Sequence, residues 1–143
     1  MRCVDVNVLV YAHRADADRH VEYRSWLEEA RTAYEPLGIS SVVLSGFVRV
    51  VTHPKVFREP TSLDVALAFA GARRGSPAAI AVEPGTRHWS IFEELCRLVE
   101  ARGNDVPDTY LAAIAIEHGA TWYTADRSFA RYPMLRWRHP LDV

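Results

Sequence analysis

The chain has 143 residues, of which 49% are hydrophobic and 24% are charged, and these values are typical of a globular domain and exclude a disordered chain. This length predicts one domain, spanning residues 1–143, with a core that needs no disulfide or metal staple. The formal net charge of −1 lacks the large basic excess that many nucleic-acid-binding proteins show. No apolar stretch has membrane-spanning length, and the N-terminal segment lacks the cationic start and cleavage site of a signal peptide. We therefore expect a cytoplasmic protein that does not associate with membranes.

The first half of the chain predicts two short strands and four helices. In chain order these are a strand at residues 2–5, a helix at 8–13 capped by Asn7, a helix at 20–34, a strand at 37–39, a helix capped by Ser40 or Ser41 and ended by Pro54, and a helix opened by the capping box Thr61–Asp64. The helices are predicted from apolar residues at three- and four-residue spacing.

The second half of the chain continues the alternation of strands and helices. It predicts strands at residues 78–82, 121–124 and 135–138, the last at an edge, with helices at 87–101 and from Asp108 to just before Gly119. Because parallel neighbours need long crossover connections, the alternation predicts an α/β fold, a Rossmann-like three-layer α/β/α sandwich with a mostly parallel central sheet. No G-x-G-x-x-G or Walker loop is present, which excludes the usual nucleotide-phosphate cradles.

The two cysteines and six histidines give no metal motif. Cys3 and Cys96 stand in apolar surroundings and are predicted to be buried free thiols. The absence of C-x-x-C and H-x-x-x-H pairs leaves a zinc site without support.

Three aspartates are predicted to lie near one edge of the sheet. Asp5 ends the first strand, Asp126 follows the strand at 121–124, and Asp108 stands at a helix start. Taken singly, Asp108 has a structural interpretation as a helix cap and Asp126 as a turn residue, whereas Asp5 would carry a desolvation cost that calls for a partner. Clustered carboxylates repel one another unless a cation intervenes, and Mg²⁺ and Mn²⁺ prefer oxygen ligands. The set therefore indicates metal-dependent phosphoryl chemistry.

Three segments resemble the PIN-domain family and, within it, the VapC toxins of type II toxin–antitoxin systems. They are V-D-V-N-V-L-V-Y-A at residues 4–12, L-S-G-F-V-R-V-V-T-H-P-K-V-F at 44–57, and N-D-V-P-D-T-Y-L-A-A-I-A-I-E-H-G-A-T-W-Y-T-A-D-R-S-F at 104–129. Each motif is moderately specific, but their ordered combination is highly specific and extends over nearly the whole chain.

The resemblance implies a fold, an activity and partners. It implies a PIN fold, often dimeric, that cleaves RNA endonucleolytically with Mg²⁺ or Mn²⁺ and leaves a 3′-hydroxyl and a 5′-phosphate. The implied partners are the RNA substrate, a VapB-type antitoxin whose C-terminal tail covers the active site, and a second copy in a homodimer. The implied metal ligands and catalytic residues are Asp5, Asp108 and Asp126, supported by Asn7 and Thr124, with Asp105 as a further acid near the site or, equally, a solvated loop residue.

One position departs from the family pattern. The family usually carries a fourth acid at the start of the third helix, and counting back from residues 44–47 places that acid at position 41. Ser41 stands there, and a hydroxyl brings no negative charge. We therefore expect weaker metal binding and reduced activity. The alternative function is a PIN-fold RNA- or antitoxin-binding protein with weak or no catalysis.

Three arginines are candidate phosphate contacts, and each has an ordinary surface interpretation. They are Arg14, Arg49 and Arg127, and the surface interpretation is slightly favoured for Arg14. A phosphoacceptor receiver domain is disfavoured, because it would show paired acids at the first strand end and a lysine near the last strand. The only lysine of the chain is Lys55.

Overall fold

The computed structural model describes all residues, 1–143, as five strands, six α-helices and one 3₁₀ helix. The strands are β1 Arg2–Val4, β2 Leu37–Ile39, β3 Ala79–Ala81, β4 Thr121–Tyr123 and β5 Trp137–Arg138. The helices are α1 Val6–His13, α2 His20–Ala30, α3 Ser41–Val51, α4 Leu63–Arg74, α5 His88–Val99 and α6 Asp105–Glu117, and the 3₁₀ helix is Arg127–Arg131.

The strands form one sheet in the order β3-β2-β1-β4-β5, and every neighbouring pair is parallel. β1 lies at the centre, where Arg2 pairs with Leu37 on one side and Thr121 on the other. This confirms the predicted α/β fold and the edge position of the last strand, and the sheet is parallel throughout.

The strand order fixes the two helical layers. The chain moves from β1 to β2 to β3 in one direction, so right-handed crossovers place α1 to α4 on one face of the sheet. It then returns past β1 to β4, which places α5 and α6 on the opposite face. The contacts agree with this division, because α1 packs on α2 and α3, α3 packs on α4, and α5 packs on α6. The carboxyl ends of β1 and β4 therefore meet as neighbours at one edge of the sheet.

Several helix starts differ from the sequence prediction. Asp5, not Asn7, caps α1 by accepting from the backbone N–H of Val6. Ser62, not Thr61, caps α4, since its hydroxyl accepts from the backbone N–H of Val65. α6 begins at Asp105, because the first-turn amides of a helix have no intrahelical acceptor and a proline in that turn costs nothing. Asp108 therefore lies within the first turn rather than at the cap.

Two further boundaries were placed wrongly. α2 ends at Ala30 rather than at residue 34, and β5 starts at Trp137 rather than at residue 135. Tyr34, which the pattern placed on the helix, is fully exposed in the following loop.

The core lies between the sheet and its two helical layers. Its largest fully buried side chains include Trp122, Tyr132, Phe47 and Phe129. Cys3 is buried as predicted, and burial raises the pKa of its thiol to about 12, whereas Cys96 is only half-buried. No helix is both long enough and apolar enough to traverse a lipid bilayer.

Candidate metal-binding active site

Asp5 is the most buried acid at the carboxyl edge of the sheet. It follows β1 directly, and only 6% of the residue is exposed. Its carboxylate accepts three hydrogen bonds, from the Val6 backbone N–H at 2.7 Å, the Thr124 hydroxyl at 2.6 Å and the Asn7 side-chain amide at 3.2 Å. A carboxylate with several donors is held in one orientation, so Asp5 is a fixed group.

Asn7 and Thr124 connect the ends of the two central strands. Thr124 follows β4 and is completely buried, and its hydroxyl oxygen accepts from the Asn7 amide at 3.2 Å and from the Asp126 backbone N–H at 3.0 Å. The Asn7 carbonyl oxygen accepts from the Ala125 backbone N–H at 3.1 Å. The structure therefore places both residues in direct hydrogen-bond contact with Asp5, and their role in supporting a metal site stays a prediction. We call Asp5, Asn7 and Thr124 with these bonds the Asp5–Thr124 network.

Asp126 and Asp108 approach Asp5 from two other elements. Asp126 lies just past β4 and caps the 3₁₀ helix, accepting from the Ser128 backbone N–H at 2.9 Å. Asp108 is half-buried in the first turn of α6, and its carboxylate accepts from Arg131 Nη2 at 3.3 Å. Both acids line one groove of about 340 Å³ together with Asp5. We call it the acid groove.

Burial and mutual repulsion raise the pKa of two of these acids. Burial is the largest cause for Asp5, the nearby charges of Asp108 and Asp126 add to it, and the bonds from Thr124 and Val6 oppose it, so that its pKa is about 6. Burial also raises the pKa of Asp108, against the opposing effect of Arg131. The acid groove therefore holds carboxylates whose ionisation is costly, which a bound cation would relieve.

The donors of the acid groove fit a hard divalent cation. Every polar side chain lining the groove ends in carboxylate, amide or phenol oxygen, and oxygen donors are what Mg²⁺ and Mn²⁺ select. As the side chains lie, no three acids converge closely enough to hold a metal ion. In this arrangement Asp108 is held by Arg131 and Asp126 by the Ser128 backbone N–H, each through one carboxylate oxygen.

Ser41 lies outside the acid groove. Its backbone N–H and hydroxyl both donate to the Glu83 carboxylate, at 2.7 Å and 2.6 Å, and it lines a different groove, between α3 and α4. As the side chains lie, Ser41 is held by Glu83, and its assignment to a vacant metal-ligand position stays a prediction. The residue that α3 contributes to the acid groove is Val50, which lies near the end of that helix.

Glu83 was missed by the sequence analysis, although a signal for it existed. It directly follows the apolar segment at residues 78–82, the same pattern of an acid after a strand that singled out Asp5. Its carboxylate receives the first free amide of α3, which is a favourable place for a negative charge. Glu83 therefore has a structural role at the start of α3.

The predicted phosphate-contacting arginines are engaged elsewhere in the protein. Arg14 is paired in a bidentate manner with Asp16, donates to the Glu59 carbonyl oxygen and stacks 4.1 Å above the Phe57 ring. Arg49 lines the groove between α3 and α4. Arg127 is exposed next to Asp126 but forms a bidentate pair with Asp142. Arg127 directly follows Asp126 of the acid groove, and Arg49 directly precedes Val50 of the same groove.

Arg131 is the cation that the structure does place at the aspartates. It contacts Asp108 at 3.3 Å and Asp105 at 3.8 Å, and it donates to the carbonyl and hydroxyl oxygens of Ser128. Asp105 therefore lies at the rim of this cluster as part of an ion pair. No sequence motif indicates this contact, because it depends on how the 3₁₀ helix folds back towards α6.

Similarity to known proteins identifies the family of the chain. The PIN domain family matches residues 2–135, which is nearly the whole chain. The chain belongs to the PIN-domain family. Within that family it is 55% identical over 142 residues to VapC ribonuclease Mb2897 of Mycobacterium bovis, covering 99% of this chain and 97% of the relative. It is also 35% identical to Ribonuclease VapC25 of Mycobacterium tuberculosis, covering 98% and 99%. These relatives place this PIN domain among the VapC ribonucleases.

Solved structures of other PIN proteins share its fold. VapBC2 from Rickettsia felis, bound to a DNA fragment from its promoter, matches with a TM-score of 0.73 at 20% identity, covering 96% of this chain and 97% of that one. VapC20 of Mycobacterium tuberculosis, described as a toxin that cleaves the sarcin–ricin loop, matches with a TM-score of 0.64 at 18% identity, covering 95% and 99%. At these identities the likeness concerns the fold.

Proposed function

We propose that this VapC-type PIN domain is a divalent-metal-dependent endoribonuclease and the toxin of a VapBC toxin–antitoxin pair. The observation that carries the proposal is the buried Asp5 carboxylate, held by Thr124 and Asn7 in a groove that it shares with Asp108 and Asp126. Buried carboxylates gathered at strand ends are costly without a cation. The 55% identity to a VapC ribonuclease supports the same assignment.

The aspartates would hold Mg²⁺ or Mn²⁺, and the other residues would keep them in place. When bound, the metal supplies a positive charge that activates water and neutralises the phosphodiester. Asp5 is the fixed ligand, because its hydrogen bonds to Thr124 and Asn7 set its orientation. Asp108 and Asp126 would be the adjustable ligands, since each carboxylate accepts only one hydrogen bond. Arg131, which contacts Asp108 and Asp105, would be the cation beside the aspartates that meets a phosphate of the RNA backbone.

A cleavage assay on single-stranded RNA tests the proposal. The parent should cut in Mn²⁺ and not in chelator, and Asp5→Asn should reduce cleavage by at least tenfold to a hundredfold, as loss of support at a metal site does. Asp64→Asn, an exposed acid in the first turn of α4, is the matched control and should cut like the parent. Cleavage by purified, folded Asp5→Asn at the parent's rate would exclude this metal site.

The alternative function, binding RNA or antitoxin with weak or no cleavage, rests on one observation. Three carboxylates line the acid groove and no fourth one does, so the metal would be bound with less charge than four acids provide. The same assay decides between the two functions. The Mn²⁺ concentration should be high enough that the melting temperature of the protein no longer rises. If the protein binds RNA but does not cleave it under that condition, the alternative function is favoured.

The proposed macromolecular partners are a VapB-type antitoxin and a second copy of the chain. The solved VapBC complexes of Rickettsia felis and of nontypeable Haemophilus influenzae share this fold and support the antitoxin proposal. Co-expression with a small protein whose gene adjoins the gene of this chain should yield a stable complex with no ribonuclease activity. Light scattering on the purified chain should give twice its 16.2 kDa mass if the homodimer forms.

A further inference from the structure

A second groove adjoins the acid groove along a shared wall. It has a volume of about 400 Å³, within the range of roughly 300–1,000 Å³ that is usual for ligand pockets. Val10, Tyr11 and Phe57 line both grooves. Ala125, between Thr124 and Asp126, also lines the second one. A polymer that crosses the aspartates therefore passes directly into this second groove, which we call the aromatic groove.

Aromatic rings form much of the wall of the aromatic groove. The half-buried Tyr11 ring lies 5.1 Å from the ring of Tyr23, and Tyr23 in turn lies 6.1 Å from the His139 ring. Phe57 carries the Arg14 guanidinium 4.1 Å above its ring. Partly exposed aromatic rings beside a phosphodiester-binding site are the usual platform on which unpaired bases of single-stranded nucleic acid stack.

The hydrogen bonds of His139 leave one donor unused in this groove. The Leu141 backbone N–H donates to His139 Nδ1 at 3.1 Å, so the ring proton lies on Nε2 and is donated to the Tyr23 hydroxyl oxygen at 3.3 Å. Burial lowers the pKa of His139, which keeps the ring in this neutral form. The hydroxyl hydrogen of Tyr23 then has no acceptor within the chain. It is available to a ligand in the aromatic groove.

The opposite rim of the aromatic groove supplies a free acceptor and a strained backbone. Asp18 is exposed and takes part in no hydrogen bond or ion pair within the chain. Arg19, beside it, has a φ of 56° and a ψ of 27°, and it is one of only two non-glycine residues with left-handed backbone. Strain of this kind persists where the surrounding structure enforces it, often at ligand sites. A free donor and a free acceptor thus flank the aromatic wall.

We propose that the aromatic groove is a nucleobase subsite, which holds one unpaired base of an RNA strand whose adjacent phosphate lies at the three aspartates. The inference rests on the proposed ribonuclease function and adds to it a base-binding subsite with named residues beside the aspartates. The base stacks on the wall formed by Tyr11 and Phe57, and its polar edge meets the Tyr23 hydroxyl and the Asp18 carboxylate. Duplex RNA cannot enter, because its bases are already paired and stacked.

Binding measured in chelator, where no cleavage occurs, tests the subsite. The probe is a fluorescent, unstructured oligoribonucleotide, with a duplex of the same sequence alongside, and the readout is anisotropy. Tyr11→Leu should weaken binding of the single strand about fivefold to a hundredfold, as loss of one stacked base does, and leave the weak duplex binding unchanged. Tyr34→Leu, on the fully exposed tyrosine of the α2–β2 loop, is the matched control and should bind like the parent.

A second variant and a metal control keep the outcomes distinct. Tyr23→Phe removes only the free hydroxyl donor and should weaken single-strand binding about twofold to tenfold, so the subsite remains testable if Tyr11→Leu does not fold. The thermal shift produced by Mn²⁺ should be the same in Tyr23→Phe as in the parent, because Tyr23 does not line the acid groove. If the parent binds and cuts RNA while both folded variants keep its affinity, the subsite is wrong and the ribonuclease proposal stands. If the parent neither binds nor cuts RNA, both proposals fail.

Discussion

Replacing Asp5 by asparagine should stabilise the metal-free protein while destroying its response to metal. The structure raises the pKa of Asp5 from its ordinary value of 3.8 to about 6, with burial as the main cause. A shift of about 2 units corresponds to roughly 3 kcal/mol of cost for the ionised form. Asparagine keeps an acceptor for the Val6 amide but loses the charge-assisted hydrogen bond from Thr124. This loss offsets about 1 kcal/mol of the stability gained by removing the ionised carboxylate. We expect a net gain of roughly 2 kcal/mol.

The sign of the pH dependence follows from the direction of the shift. Between pH 3.8 and about 6 the folded state binds more protons than the unfolded state, so stability falls as pH rises through that window. The cost of ionising Asp5 is complete above pH 6 and absent below pH 3.8. The advantage of Asp5→Asn should therefore be full at pH 8 and disappear near pH 4.

Thermal unfolding in chelator measures this prediction. A gain of roughly 2 kcal/mol in a chain of this size raises the melting temperature by about 4–8 °C at pH 8. In Mn²⁺ the parent should gain stability and Asp5→Asn should gain much less. The difference between their melting temperatures should therefore become smaller or change sign. The exposed Asp64→Asn should follow the parent throughout. The reasoning is refuted if Asp5→Asn melts below the parent at pH 8 in chelator, or if its advantage persists unchanged at pH 4.

Three further predictions concern the same edge of the sheet. Mn²⁺ at a hundredfold excess over its dissociation constant should stabilise the parent by about 2.7 kcal/mol, and an unchanged melting curve would exclude the site. Ser41→Glu should lower the free energy of unfolding by about 1 kcal/mol, because the new carboxylate is repelled by Glu83. Mn²⁺ should stabilise this variant as much as it stabilises the parent, and a larger stabilisation would place position 41 at the metal. Arg131→Gln should be less stable in chelator but gain more from Mn²⁺, because a cation competing for Asp108 is removed. A smaller gain would mean that Arg131 holds Asp108 ready for the metal instead.

The parts of the site that the sequence predicted are those fixed by strand alternation. Because parallel strands end at a common edge, acids directly after two strands had to be neighbours once those strands were adjacent, and this brings Asp5 and Asp126 together. Asn7 and Thr124 follow from the same argument, since each lies within two residues of one of these acids. Asp108 lies in the same groove because α6 begins near that edge.

The contacts of the site that could not be predicted from the sequence depend on the direction in which individual side chains leave a helical turn. The contact between Ser41 and Glu83 was not predicted, because the direction of a first-turn residue of α3 depends on the neighbouring loop, here on Glu83 after β3. The contact between Arg131 and Asp108 joins two elements 23 residues apart through a 3₁₀ helix whose course no periodicity encodes. The predicted cap of α4 was wrong for a local reason, since the adjacent residues Thr61 and Ser62 offer equivalent hydroxyls, whereas Ser40 caps α3 as one of the two predicted residues.

The Asp5–Thr124 network also has a consequence for how the protein is made. The hydrogen bonds from Thr124 to Asp5 and from Asn7 to Thr124 join residues that are 119 and 117 positions apart. Translation delivers the first aspartate at the start of synthesis and the last one only when most of the chain has been made, and contacts of such separation close late in folding. A growing chain on the ribosome therefore has no assembled acid groove. The site that binds Asp5 to Thr124 is thus one of the last parts of the protein that synthesis makes it possible to assemble.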